Sequence, residues 1–169
     1  FGREAISRQS APCLYSGILT DTGNFRHNNT RSSTHRVVAD LIELGADITA
    51  IHDALYDNFR EERLRLIGYT LHNKLEILED CRTALITLDK EELKQFKVET
   101  GDTEGLVNYG LSIKGIVLAV LIIDRTKLVK MSFRSKGDFA CNEFAQKHFS
   151  GGGHRNASGG QSTESLDAT

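Results

Sequence analysis

The sequence is poor in the residues that usually anchor an early guess. It has no Trp, one Pro, one Met and three Cys in 169 residues. Cys13, Cys81 and Cys141 are far apart and form no CxxC pair. That argues against a disulfide framework and suits a reducing, cytoplasmic setting. No apolar run reaches the length of a membrane span, so no membrane partner is expected. Aromatic residues make up only 7% of the chain, so Leu, Ile, Val and a few Phe must carry the core. The formal net charge is −2, which removes the global basic field that draws a protein to long nucleic acid. Any phosphate binding must therefore be local, and the ligand short: a nucleotide or an oligonucleotide of a few residues. The only Met is Met131 and the chain opens on Phe1, which leads us to expect a piece of a longer protein whose earlier portion is not shown.

What is present in excess is glycine, concentrated in FSGGGHRNASGG, Phe149 to Gly160. Gly151, Gly152 and Gly153 strip the side chains from one short length of backbone, and His154 and Arg155 follow at once. Glycine permits positive φ and close approach of another group to the main chain. Consecutive N–H groups in such a turn can form a nest for an anion, and a helix opened by RNASGG would add its free N–H groups. The stretch reads equally well as a phosphate-binding loop or as a glycine connector carrying a solvated Arg. It is neither a Walker A loop nor a dinucleotide fingerprint, since GK[ST] is missing and Asn156 stands where the last glycine of GxGxxG would fall.

Taken in order, residues 3 to 19 have helical apolar spacing, with Pro12 as a break or first-turn residue. They lead into TDTGNF, where Asp21 is delivered into a turn; it suits a divalent metal or a simple Asx turn. THRVVADLIELG, from Thr34, and ITAIHDALYDNF, capped by Asp47, read as helices, as do residues 60 to 74. A lobe boundary is expected near His72. LEIL and TALITL read as strands around Glu79-Asp80. Asp89 starts a charged helix, and Asp102 or Thr103 is expected to cap EGLVNYGLSI. The run 116–123 is apolar enough for a strand covered on both faces. KLVKMSFRS alternates, with Lys130, Ser132 and Arg134 on a wet face. Asp138 is expected to cap the helix DFACNEFAQKHF. Strand-end RSK and helix-end GGGHR can then converge on one mouth, with the Arg134 fork suited to phosphate oxygens. Residues 161–169 read as a flexible tail. A zinc site from Cys141, His148 and His154 is one ligand short of four.

Together and in this order, LYSGILTDTGNF, DTEGLVNYGLSIKG, SFRSKGD and FSGGGHRNASGG resemble the DHH (Asp-His-His) phosphoesterase superfamily. The resemblance is closest to its oligoribonuclease and 3′-phosphoadenosine 5′-phosphate (pAp) phosphatase branch. It implies an α/β (α+β) fold: residues 1–72 as the helical end of a catalytic lobe and 73–160 as a DHH-associated substrate-binding domain. It implies Asp21 as a ligand to a manganese (Mn2+) pair. It implies substrate contacts from Arg134, Gly152, Gly153 and His154, His154 also serving catalysis, with Asn156 and Ser158 close enough in sequence to help; Gly151 and Arg155 join the substrate-binding set from the loop's own sequence. Implied partners are short RNA or a nucleotide phosphate, with a homodimer among the expected assemblies. The Asp-His-His motif and the other early aspartate motifs are absent. Asp21 cannot hold two divalent ions alone, so the chain is expected to be inactive by itself. A non-catalytic nucleotide-binding module and a cyclic di-AMP phosphodiesterase of the same superfamily are the alternatives.

Overall fold

The computed structural model describes residues 5–125 and 127–168. Arg3, at the start of the first expected helix, Thr126, in the expected Asp124–Thr126 turn, and Thr169 lie outside them. The described chain divides into two compact units, residues 1–59 and 60–169.

The first unit is helical: α1 (Ala11–Asp21), α2 (Ser32–Glu43) and α3 (Ile48–Tyr56). Pro12 falls in the first turn of α1, where its missing N–H costs nothing, and the helix begins at Ala11. Helix α2 starts two residues earlier than expected, at Ser32, and the Thr34 hydroxyl accepts from the Arg31 N–H at its entrance. Asp47 caps α3 by accepting from the Ala50 N–H at 3.0 Å. Ala11, Tyr15, Leu19, Leu41 and Ala46 form the core, with Ile18, Val38 and Ile51 packed on it.

The second unit is a six-stranded mixed sheet with helices on both faces. Helix α4 (Glu61–Asn73) leads into β1 (Leu75–Leu78), a single 3-10 turn and β2 (Thr83–Leu88). Then come α5 (Lys90–Gln95), α6 (Leu106–Ser112), β3 (Leu118–Asp124) and β4 (Val129–Ser135). Helix α7 (Cys141–His148), β5 (Gly152–His154) and β6 (Ala157–Ser162) complete the unit. The strand order is β1-β2-β3-β4-β6-β5. Only β2 and β3 are parallel, joined by a crossover that contains α5 and α6.

Each sheet face has its own core. Ala84, Ile86 and Leu88 of β2 and Ala119, Leu121 and Ile123 of β3 pack with Leu66 of α4 and with Leu106 and Val107 of α6. Leu118 and Val120 of β3 and Val129, Met131 and Phe133 of β4 pack with Cys141 and Ala145 of α7. The continuous apolar run of β3 is thereby buried on both sides, as its sequence requires. Gly110 lets α6 lie directly on the sheet, since a Cβ there would come within 2.9 Å of the Ala84 Cβ.

Several expected boundaries move. The units divide after Phe59, not after His72, because α4 supplies Leu66 to the second core. Asp102 does not cap α6, which begins after Gly105. It is buried, accepting from the Glu99 N–H at 2.8 Å and from Arg60 at 3.2 Å. Asp138 does not cap α7, which begins after Ala140. Residues 161 and 162 complete β6, and Leu166 packs on the α7-side core, so part of the expected tail is structured.

Candidate functional site

In the second unit, strand β4 carries the central candidate. Val129, Met131 and Phe133 point into the α7 core, so Lys130, Ser132 and Arg134 occupy the opposite face. Arg134 is half-buried. One Nη1–H donates to its neighbour's carbonyl, Phe133 O, at 2.9 Å. That bond steadies the guanidinium, and the other N–H groups of the fork have no protein partner among the described residues.

Register places the glycine stretch beside it. Arg134 pairs with Ala157 of β6, and Ala157 pairs with His154 of β5. Two strand spacings therefore separate the Arg134 and His154 backbones, about 10 Å. His154 is exposed and its ring has no hydrogen-bond partner among the described residues.

The expected helix after the glycines does not form. Residues 152–162 are a β-hairpin, so no helix N-terminus reinforces an anion nest there. The Gly151 N–H is also committed, donating to Ala145 O at 3.2 Å to close α7. Packing explains two of the three glycines. A Cβ on Gly151 would lie 2.1 Å from the Gly159 carbonyl oxygen. Gly153 has φ +141°, and its Cβ would lie 2.7 Å from the Ala157 oxygen. Gly152 has neither constraint.

Arg155 and Asn156 tie the hairpin tip to the loop after β4. Arg155 Nη2 donates to Asp138 O at 2.8 Å. The Asn156 amide donates to Ser135 Oγ at 2.9 Å, Phe139 O at 3.2 Å and Gly137 O at 3.3 Å. Both residues thus hold Arg134 and His154 in register. Lys136 donates to Leu111 O of α6, fastening the other side of the same loop.

Asp21, in the first unit, is the last residue of α1. Its Oδ2 accepts from Asn29 Nδ2 at 2.9 Å. The turn that follows is left-handed through Gly23, Asn24 and Phe25, with φ +56°, +61° and +62°. Positive φ at a bulky residue such as Phe25 is strained, and its ring is held by the core and by His35 at 5.3 Å. The His27 ring occupies the space where a Cβ on Gly23 would stand, within 2.4 Å. Glycine is thus required there by packing as well as by φ. No group of three or more His, Cys, Asp or Glu that could hold a metal occurs among the described residues. This excludes the Cys141, His148 and His154 zinc site there; Cys141 is instead buried beside Ser158 Oγ at 3.3 Å.

A family model described as the DHHA1 domain matches residues 84–168. The chain belongs to the DHHA1 domain family. The DHHA1 match starts within β2 and runs past the end of β6, and so includes Arg134 and the whole glycine hairpin. The chain is 34% identical over 159 residues to the "bifunctional oligoribonuclease and PAP phosphatase NrnA" of Thermus thermophilus, covering 94% of this chain and 46% of that protein. It is 33% identical to a probable NrnA of Streptococcus mutans, covering 93% and 49%. The crystal structure of an exopolyphosphatase-related protein from Bacteroides fragilis superposes with TM-score 0.92 at 39% identity, covering 98% of this chain and 48% of that one. The chain spans about half the length of the relatives it matches. The DHHA1 chain thus sits among DHH-family phosphoesterases, as its motifs imply. None of its described helices is long and apolar enough to cross a membrane.

Proposed function

We propose that this chain is the substrate-gripping part of a DHH-family phosphodiesterase or phosphatase that acts on short oligoribonucleotides or on pAp. Arg134 takes phosphate oxygens through the free part of its fork. His154 and the glycine backbone of β5 at Gly152 and Gly153 lie against the same group, and His154 serves turnover in the intact enzyme. Gly151 acts through the hairpin's shape, its N–H being committed to Ala145 O, while Arg155 and Asn156 contact substrate with the polar atoms that their bonds to the loop after β4 leave over. The observation that carries this reading is the Arg134 guanidinium: half-buried, steadied by Phe133 O, with no carboxylate in contact and most donors unspent among the described residues. A partly desolvated permanent cation left without a protein anion is arranged for an anionic ligand.

Divalent metal, manganese in our reading, belongs to the intact family enzyme, where it would supply activated water and charge stabilisation. The described residues of this chain do not fit a metal pair. One carboxylate, Asp21, already bonded to Asn29, falls short of the several ligands each ion needs. We therefore derive no hydrolytic step from this chain and expect it to bind without cutting.

Titration calorimetry of the chain with pAp tests the reading. Arg134→Ala should lose about 1.5–3 kcal/mol of binding, the worth of a hydrogen bond to a charged group. An Arg134→Ala chain that binds as tightly as its parent would overturn it. Tight binding of cyclic di-AMP with no binding of pAp or short RNA would favour the cyclic dinucleotide branch instead.

A further inference from the structure

Gly159 is a glycine that the fold does not demand. Its φ is not positive, and a Cβ added there would meet only the Met131 carbonyl oxygen at 3.5 Å, an ordinary contact. Its neighbours in the hairpin are different: Gly151, Gly153 and Gly160 would each bring a Cβ within 3 Å of another group. Inside a strand, a glycine costs backbone entropy and forgoes packing. Here it stands exposed in β6, paired in register with Ser132 of β4, on the face that carries Arg134.

That face has a definite make-up. Arg134 and Ala157 form one row, Ser132 and Gly159 the next, and Lys130 and Gln161 the third. The middle row presents bare backbone and a hydroxyl with no hydrogen-bond partner among the described residues. The rows on either side present Arg134 and Lys130. Lys130 is exposed and makes no ion pair among the described residues. Four residue steps along the strand separate the two cations, about 14 Å between Cα atoms. With both side chains standing off the sheet, the two phosphates of one ribose fall short of that separation, whereas an extended chain of several nucleotides spans it.

We propose that the face from Arg134 across Gly159 to Lys130 is a track for an oligonucleotide. The terminal phosphate sits at Arg134, the sugar-phosphate chain lies against the bare backbone at Gly159 beside the Ser132 hydroxyl, and a later phosphate reaches Lys130. The domain thereby reads substrate length: pAp uses the Arg134 end alone, and short RNA uses the whole track. The inference rests on the phosphate-gripping role of Arg134.

The test compares pAp with a 5′-phosphorylated triadenylate, measured by calorimetry on the full chain in EDTA at several salt concentrations. Gly159→Val suits strand geometry and should keep the parent's melting temperature while weakening the trinucleotide at least tenfold and pAp less than threefold. Lys130→Ala should weaken the trinucleotide three- to tenfold and leave pAp unchanged. It should also reduce the salt slope of trinucleotide binding by about 0.7, the value of one single-strand phosphate contact. Should Gly159→Val fail to fold, the Lys130→Ala affinity and slope decide the matter. Trinucleotide affinity and salt slope unchanged in Lys130→Ala, or equal losses for both ligands, would overturn the track. Loss of both ligands in Arg134→Ala alongside that result would leave the phosphate grip standing. Binding of both ligands unchanged by Arg134→Ala would instead overturn the grip itself.

Discussion

Alternate residues of one seven-residue strand make two surfaces of opposite character. On one side of β4, Phe133 is 1% exposed, stacked on Phe149 at 5.5 Å and edge-on to Phe144 at 5.7 Å. On the other, one residue along, Arg134 keeps most of its fork without a partner among the described residues, beside open backbone. The first side is fully satisfied by protein and the second is not. The difference teaches how to separate residues that build this domain from residues that would work for it. A builder lost should cost stability and carry binding down with it. A worker lost should leave stability alone.

The sharpest break is Phe133→Ala, which should destabilise the chain by about 3–5 kcal/mol, as for other buried aromatic truncations. Urea unfolding measures it, and a loss under about 1 kcal/mol would mean that the α7 side is less tightly packed than it stands. Next comes Gly151→Ala. Its Cβ collides with the Gly159 carbonyl, so the hairpin must shift, and overpacking of this kind costs about 1–3 kcal/mol. The same substitution at Gly152, where a Cβ would meet only the Gln146 side chain at 3.7 Å, should be close to neutral for folding. Equal losses at the two positions would erase the distinction between fold-required and fold-neutral glycines. Arg134→Ala should leave the unfolding midpoint nearly unmoved, within about 0.5 kcal/mol, while binding falls.

The smallest effect concerns Tyr69, whose hydroxyl donates to Glu92 Oε1 at 2.6 Å. That bond, then burial and the charges of Glu92 and Asp89, raises the Tyr69 pKa above its ordinary value. A raised folded-state pKa means that the folded chain holds the proton more tightly than the unfolded one. The associated stability is whole below about pH 10 and is lost as pH climbs through the folded pKa. Tyr69→Phe should therefore flatten the alkaline decline in unfolding midpoint. An unchanged slope would show that the bond does not persist in solution.

Much of this fold was legible. The apolar run of β3, the alternation of β4, and the Asp47 and Asp89 caps all follow from local rules, and each stands where its pattern put it. The errors fell where a local signal had a tertiary competitor. Asp102 reads as a cap, but Arg60, 42 residues away in sequence, claims it. RNASGG reads as a helix start, but β4 offers it a strand to pair with, and the glycines allow that close approach. For Arg155 and Asn156 the expected role is substrate contact; the bonds that they also make to the loop after β4 could not be read from spacing.

By itself, the sequence determined the periodicities, the two dry faces of β3, the wet face ending at Arg134 and the family to which the motifs belong. These depend on side-chain chemistry at fixed local spacing. The tertiary structure alone decided which glycines are obliged to be glycine and which cations lack a partner among the described residues. Both depend on atoms that arrive from distant strands and helices, and steric room or charge pairing exists only once those atoms are in place.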